Sequence, residues 1–224
     1  MKIAILTLAV GAEYRKCMRA GLVSKRYYAR RHGFSFIIGG DSWLDPSRPC
    51  SWSKIQFVRA FLPNFDCVFL SDADVIIMNP QIDLRDLVRE HMQDKAVMLS
   101  RDYNNLNAGN VFFRNVPEAF EILDRVHAQR HLTFHKWWEQ AAYIELYETD
   151  AFVREHLRVV DDQRLFNSYP TFLAHRYPDH CYRQGDLLIH FADLWKEQAA
   201  VRMSESLGIL RRSLGPTTCP QRSL

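Results

Sequence analysis

An open α/β sheet with helices on both faces, built as a single domain, is the fold this sequence predicts. Three observations carry that reading. Short apolar runs of strand length alternate with longer stretches of helical spacing along the chain. The first run, residues 2–9, is apolar with little alternation, as a strand buried on both faces would be. A chain of 224 residues is long enough to enclose one substantial core.

The elements follow in order. After the opening strand, Tyr14 to His32 reads as a helix, with Cys17, Leu22 and Tyr28 interleaved with Arg and Lys, and Gly33 ends it. Phe34 to Ile38 is a second strand, closed by Gly39-Gly40-Asp41, and a polar loop with Pro46 and Pro49 follows. Trp52 to Phe61 is a helix stopped near Pro63. Cys67 to Leu70 is a third strand, Leu84 to Met92 a helix, and Ala96 to Ser100 and Asn110 to Phe113 are strands. Pro117 opens a helix that runs to Gln129. Trp137 to Tyr147 is helical, and Leu157 to Val160 and Leu187 to His190 are short strands. The last dozen residues, rich in Ser, Pro, Thr and Arg, read as a disordered tail; the domain is drawn at 1–205, with 206–224 as the tail and its approach.

Composition narrows the function classes. Hydrophobic residues make up 47% and charged residues 25%, as in ordinary globular proteins, and a net charge of +3 is too small to argue for nucleic acid. The five cysteines are scattered, with no zinc-type or redox spacing, and read as reduced thiols of a reducing compartment. Lys2 is followed at once by strand residues rather than an export segment, and no apolar run reaches the ~18 residues of a membrane helix. The expectation is a cytoplasmic protein, or a domain of a longer one, with at most peripheral membrane contact, as through its basic tail.

The chemistry begins at Ser71-Asp72-Ala73-Asp74. Two carboxylates stand two apart at the end of a buried run, where extended chain points them to one side. Two anions aimed together are costly unless a cation lies between them, and the carboxyl edge of an open α/β sheet is where ligands bind. The alternative is that Asp72 caps a turn and Asp74 is solvated. His190 ends an apolar strand, where a lone His is more often a hydrogen-bonded core residue. Lys54 and Lys196 read equally as surface cations, and Tyr14 as a helix-face core residue. Glu139 and Gln140 fit a polar helix face, although Trp137 and Trp138 beside them offer aromatic faces on which sugars pack. Trp43 and Trp52 are core residues or ligand platforms, and Asp161-Asp162 is loop.

Read together, the motifs resemble those of retaining GT-A glycosyltransferases, nearest to the galactosyl/xylosyl/α-mannosyl transferase family and more distantly to the glycogenin-like family. In order along the chain they are Trp52-Ser53-Lys54, Asp72-Ala73-Asp74, Asn107-Ala108-Gly109 with Arg114-Asn115, Trp138-Glu139-Gln140, Phe166-Asn167-Ser168-Tyr169, and Gly185-Asp186 with His190-Phe191-Ala192. The resemblance runs to about residue 200. It departs at Asp193, where the related families carry Gly, while Lys196 keeps its place six residues after His190.

The resemblance implies a nucleotide-sugar donor, UDP more than GDP, and a glycan or other hydroxyl acceptor. It implies metal ligands at Asp72, Asp74 and His190, a set whose nitrogen favours Mn²⁺ over Mg²⁺. It places Thr7, Ala9, Tyr14, Lys54, Asn107, Gly109 and Lys196 around the donor, with Asp72 shared between donor and metal. Glu139 and Gln140 fall at the reacting centre. The rival classes are a phosphohydrolase of the haloacid dehalogenase type and a non-catalytic sugar-binding module. The first expects its Asp pair after the first strand, which carries none here; the second would not need an intact Asp72, Asp74 and His190 set.

Overall fold

The computed structural model describes residues 1–192 and 194–214. Six strands form the main sheet in the order β2 (Ser35–Gly39), β1 (Ile3–Leu8), β3 (Cys67–Ser71), β6 (Leu106–Arg114), β5 (Val97–Arg101), β7 (Leu157–Val160). β1 is parallel to β2 and β3, and β5 to β7, whereas β6 runs antiparallel to both of its neighbours. A second sheet pairs β4 (Val75–Ile77) with β8 (Leu188–His190) in antiparallel register.

The run-on apolar strands are explained by two cores. On β1, Ala4, Leu6 and Leu8 enter one core while Ile3 and Ile5 enter the other; on β3, Val68 and Leu70 oppose Cys67 and Phe69. The first core is closed by α3 (Ser53–Phe61), α5 (Pro117–Ala128), α6 (Trp138–Thr149) and α7 (Ala151–His156). The second is closed by α2 (Arg19–His32), α4 (Leu84–Leu87) and the inner residues of β4 and β8. Phe69 and Phe112 stack at 4.4 Å in that second core, a pair contributing about 0.5–1.5 kcal/mol beyond its buried area.

Several elements differ from the sequence reading. The first helix breaks at Met18 into α1 (Ala12–Cys17) and α2; Gly33, at φ 69°, ends α2 as expected. The helix from Leu84 is α-helical only to Leu87 and continues as a wider π-type turn to Met92. β6 begins at Leu106 rather than Asn110: Asn107 Oδ1 accepts from Gly109 N–H, Asn110 Nδ2 donates to Asn167 Oδ1, and the register against β5 shifts at Leu99/Ser100. The expected tail from 206 is instead helix as far as residue 214. In α8 (Lys196–Leu214), Ala199, Met203, Leu207 and Leu210 fall on one stripe and pack against Ala20, Val23 and Ile76. Burying a Met or Leu side chain contributes roughly 1.5–3 kcal/mol, enough to order a segment whose composition alone looks like a tail. Residues 215–224 of that tail, and Asp193, lie outside the described residues. Among the described residues, no helix is long and apolar enough to cross a membrane.

Candidate active site

The carboxyl end of β3 turns sharply at Asp72–Val75, closed by Val75 N–H donating to Asp72 O at 3.2 Å. The chain then enters β4, whose register sets Val75 opposite His190. Strand pairing thus carries His190 to the two aspartates across more than a hundred residues. Potential ligand atoms of Asp72, Asp74 and His190 all lie within 4.8 Å of one another.

The tautomer of His190 follows from its partner. Its Nδ1 is 2.8 Å from Asn167 Oδ1, which also accepts from Asn110 Nδ2 at 2.9 Å. An amide oxygen only accepts, so Nδ1 carries a proton and Nε2 faces the aspartates. Nε2 stands 3.5 Å from Asp74 Oδ1, and that oxygen is buried without a hydrogen-bond partner. Burial opposes charge on both groups. Asp74 nonetheless holds the imidazole above its ordinary pKa, and the imidazole holds Asp74 below the usual carboxylate range. Burial raises Asp72, with Lys54 pulling the other way. Two carboxylates and an imidazole nitrogen held this way suit a divalent cation.

Lys54, buried on α3, bridges two acids: its ammonium is 3.1 Å from Asp72 Oδ1 and 2.5 Å from Glu139 Oε1. Burial works against that charge, but Asp72 and Glu139 outweigh it and hold the ammonium well above its ordinary range. Glu139 Oε2 is buried with no partner. Gln140 accepts from Ala108 N–H at 3.1 Å through Oε1. Asn107 Oδ1 accepts from Gly109 N–H, and its Nδ2 donates to Asp102 Oδ2 at 2.8 Å, which also accepts from Tyr169 OH at 2.8 Å.

These groups surround one cleft of about 240 Å³ at the end of the sheet, whose walls include Lys54, Asp72, Asp74, Asn107, Gly109, Glu139, Gln140 and His190. Tyr14 lies in an adjoining cavity of about 290 Å³ with Leu8, Cys50 and the same two aspartates. Trp138 borders both cavities and has a positive φ of 49°. Burial, with Asp74 and Asp72 nearby, raises the Tyr14 phenol.

Other predicted residues lie elsewhere. Thr7 and Ala9 are fully buried, the Thr7 hydroxyl donating to Ser71 O at 2.8 Å, and neither lines either cavity. Lys196 opens α8, 3.7 Å from Glu197, and is not a wall of the cleft. Trp52 is core, its indole N–H bound to Thr133 O, and Trp43 packs on Phe57 and Phe61.

Sequence reasoning missed Asp102 and left Asn167 and Tyr169 without roles. Asp102 follows an apolar strand, as Asp72 does, and that was the available signal. It also missed Lys25, fully buried on α2 with its pKa lowered to about 7 by burial, whose ammonium reaches Asp72 O.

A mixed sheet ending in this cleft is the GT-A glycosyltransferase arrangement, and solved structures of that fold superpose on it. A glycosyltransferase involved in glycosylation of the major capsid of PBCV-1 matches with a TM-score of 0.68 at 18% identity, covering 92% of this chain and 100% of that one. Mouse xyloside xylosyltransferase 1 matches at 0.54 and 10% identity, covering 86% of this chain and 98% of the other. The chain belongs to the galactosyl transferase GMA12/MNN10 family, which it matches over residues 2–93 and 88–200. An uncharacterized alpha-1,2-galactosyltransferase of Schizosaccharomyces pombe is 24% identical over 85% of this chain and 60% of its own length. An alpha-1,2-galactosyltransferase of the same organism is 23% identical over 75% of this chain and 54% of its own length. The chain therefore spans a little over half the length of these relatives.

Proposed function

We propose that this chain transfers a hexosyl or pentosyl group from a UDP-sugar to a hydroxyl of a glycan or other acceptor, with retention of anomeric configuration. The observation that carries the proposal is Asp74 Oδ1, buried without a partner and facing His190 Nε2 beside Asp72. Asp72, Asp74 and His190 would hold Mn²⁺, or Mg²⁺ less favourably. When bound, such an ion supplies Lewis-acid neutralisation of a diphosphate leaving group.

The chain's own groups divide the remaining work. Lys54 offsets part of the cost of a buried Asp72 charge and spaces that carboxylate from Glu139. The unpartnered Glu139 Oε2 stabilises positive charge developing on the sugar ring, and the Gln140 amide binds a sugar hydroxyl. The acceptor hydroxyl attacks the anomeric carbon on the face from which the diphosphate departs, and a phosphate oxygen takes its proton. Tyr14 and Leu8, in the adjoining cavity, would border the nucleoside, and Lys196, at the start of α8, would pair with the diphosphate. The scattered cysteines, read as reduced thiols, are the ground for placing the protein in the cytoplasm.

A panel of UDP- and GDP-sugars, assayed for nucleotide release with Mn²⁺ or Mg²⁺, tests the reading. UDP-galactose comes first because the relatives are named for galactose transfer. Metal-dependent release from one UDP-sugar is expected. Phosphate release from phosphomonoesters, with every nucleotide sugar inert, would instead favour the phosphohydrolase.

A further inference from the structure

The Asp72–Val75 turn packs against α2, and three residues of that helix shape the contact. Gly21 has no room for a side chain: a β-carbon there would stand 2.4 Å from Ala73 O and 2.6 Å from Val75 O. Ser24 accepts Ile77 N–H at 3.1 Å through its hydroxyl, which in turn donates to Gly21 O. Lys25 is 0% exposed, and its ammonium donates to Asp72 O at 2.6 Å and Val75 O at 3.0 Å. These oxygens are the first and last carbonyls of the turn that carries Asp72 and Asp74.

A fully buried ammonium is costly, and Lys25 spends two of its three donors on backbone rather than on a carboxylate. An ion-pair role would have placed it against a side chain, as Lys54 is placed. A cation bound to main-chain carbonyls constrains φ and ψ of the residues between them.

We propose that Lys25 is the positioning residue of the aspartate turn, setting the spacing of the Asp72 and Asp74 carboxylates for a divalent cation. The inference rests on the proposed metal site. It also makes a prediction of opposite sign to simple electrostatics. Removing a positive charge beside a cation site should tighten metal binding by Coulomb's law alone. Loss of a residue that positions ligands should weaken it.

The test is calorimetric titration of the full chain with Mn²⁺ alone. Lys25→Met is expected to weaken Mn²⁺ by about 10- to 100-fold, the range for groups that orient metal ligands. Lys25→Gln, which keeps a shorter amide donor, is read the same way should Lys25→Met not fold. Val126→Ala, in the core under α5, controls for lost stability and should leave Mn²⁺ affinity unchanged. Unchanged or tighter binding in a folded Lys25 variant overturns the proposal. Asp74→Asn separates the two claims. If it loses Mn²⁺ while Lys25→Met keeps it, the role of Lys25 alone fails. If the unsubstituted chain binds no Mn²⁺, or Asp74→Asn binds it equally well, the metal site fails and this inference with it.

Discussion

The imidazole of His190 occupies the space a side chain at position 109 would need. A β-carbon on Gly109 would stand 2.3 Å from His190 Cε1 and 3.0 Å from Nδ1. Gly109 also receives Asp72 N–H on its carbonyl at 2.8 Å, so β6 braces the turn and the histidine at one point. Gly109→Ala should therefore displace the ring from Asp74. Overpacking of this kind costs about 1–3 kcal/mol. The expected result is a modest fall in Tm and a fall in Mn²⁺ affinity of about tenfold or more, read by thermal melts and calorimetry. Wild-type Mn²⁺ affinity in the folded variant would show that His190 is no ligand.

Lys54 is held between Glu139 and Asp72, with side-chain exposures of 7% for Lys54 and 4% for Glu139. Lys54→Met strands two carboxylates, one of them buried. Breaking a buried pair from one side costs about 3–5 kcal/mol, so the single variant should unfold at much lower urea. Lys54→Met with Glu139→Gln should recover a large part of that loss, because the buried charge goes with its partner. A single variant as stable as the parent in urea denaturation would contradict the arrangement.

Gln140 turns its carbonyl oxygen to Ala108 N–H and leaves its amide nitrogen for a ligand. If that amide acts in the transition state, Gln140→Ala lowers kcat more than it raises the donor KM. Removing one such contact costs about 2–4 kcal/mol, roughly a hundredfold or more in rate. Glu139→Gln tests the neighbour, whose free Oε2 loses its charge. A collapse there with Gln140→Ala near normal moves the key role to the carboxylate. Single-turnover rates with Mn²⁺ affinity checked in parallel decide between them.

What could be read from the sequence follows from how local each signal is. The strand Cys67 to Leu70 ending in two aspartates needed only its apolar run, and Gly33 needed only its place after a helical stretch. β4 is three residues long and exists as a strand because β8 pairs with it. The part of α8 from residue 206 looks like a tail until Leu207 and Leu210 join the cluster of Ala20 and Val23. Around the cleft, the ordered motifs brought Lys54, Asp72, Asn107, Glu139, Gln140 and His190 onto one list, and the fold brings them to one place. The resemblance places Thr7 and Ala9 at the nucleotide; in the fold the Thr7 hydroxyl donates to Ser71 O, and Ala9 packs in a cluster with Met18 and Phe191. Lys25 was hidden for the opposite reason: one lysine in a helix full of Arg and Lys looks solvated, and its burial is decided by a turn some fifty residues away.

The central claim is that Asp72, Asp74 and His190 hold one divalent cation at the donor diphosphate. Anomalous diffraction at the manganese edge, from crystals grown with Mn²⁺ and UDP, tests it most directly. A single strong peak in contact with a carboxylate oxygen of each aspartate and with His190 Nε2, absent in Asp74→Asn crystals, is the expected result. UDP bound in the cleft with no manganese peak at these three residues, or with the peak elsewhere, would contradict it.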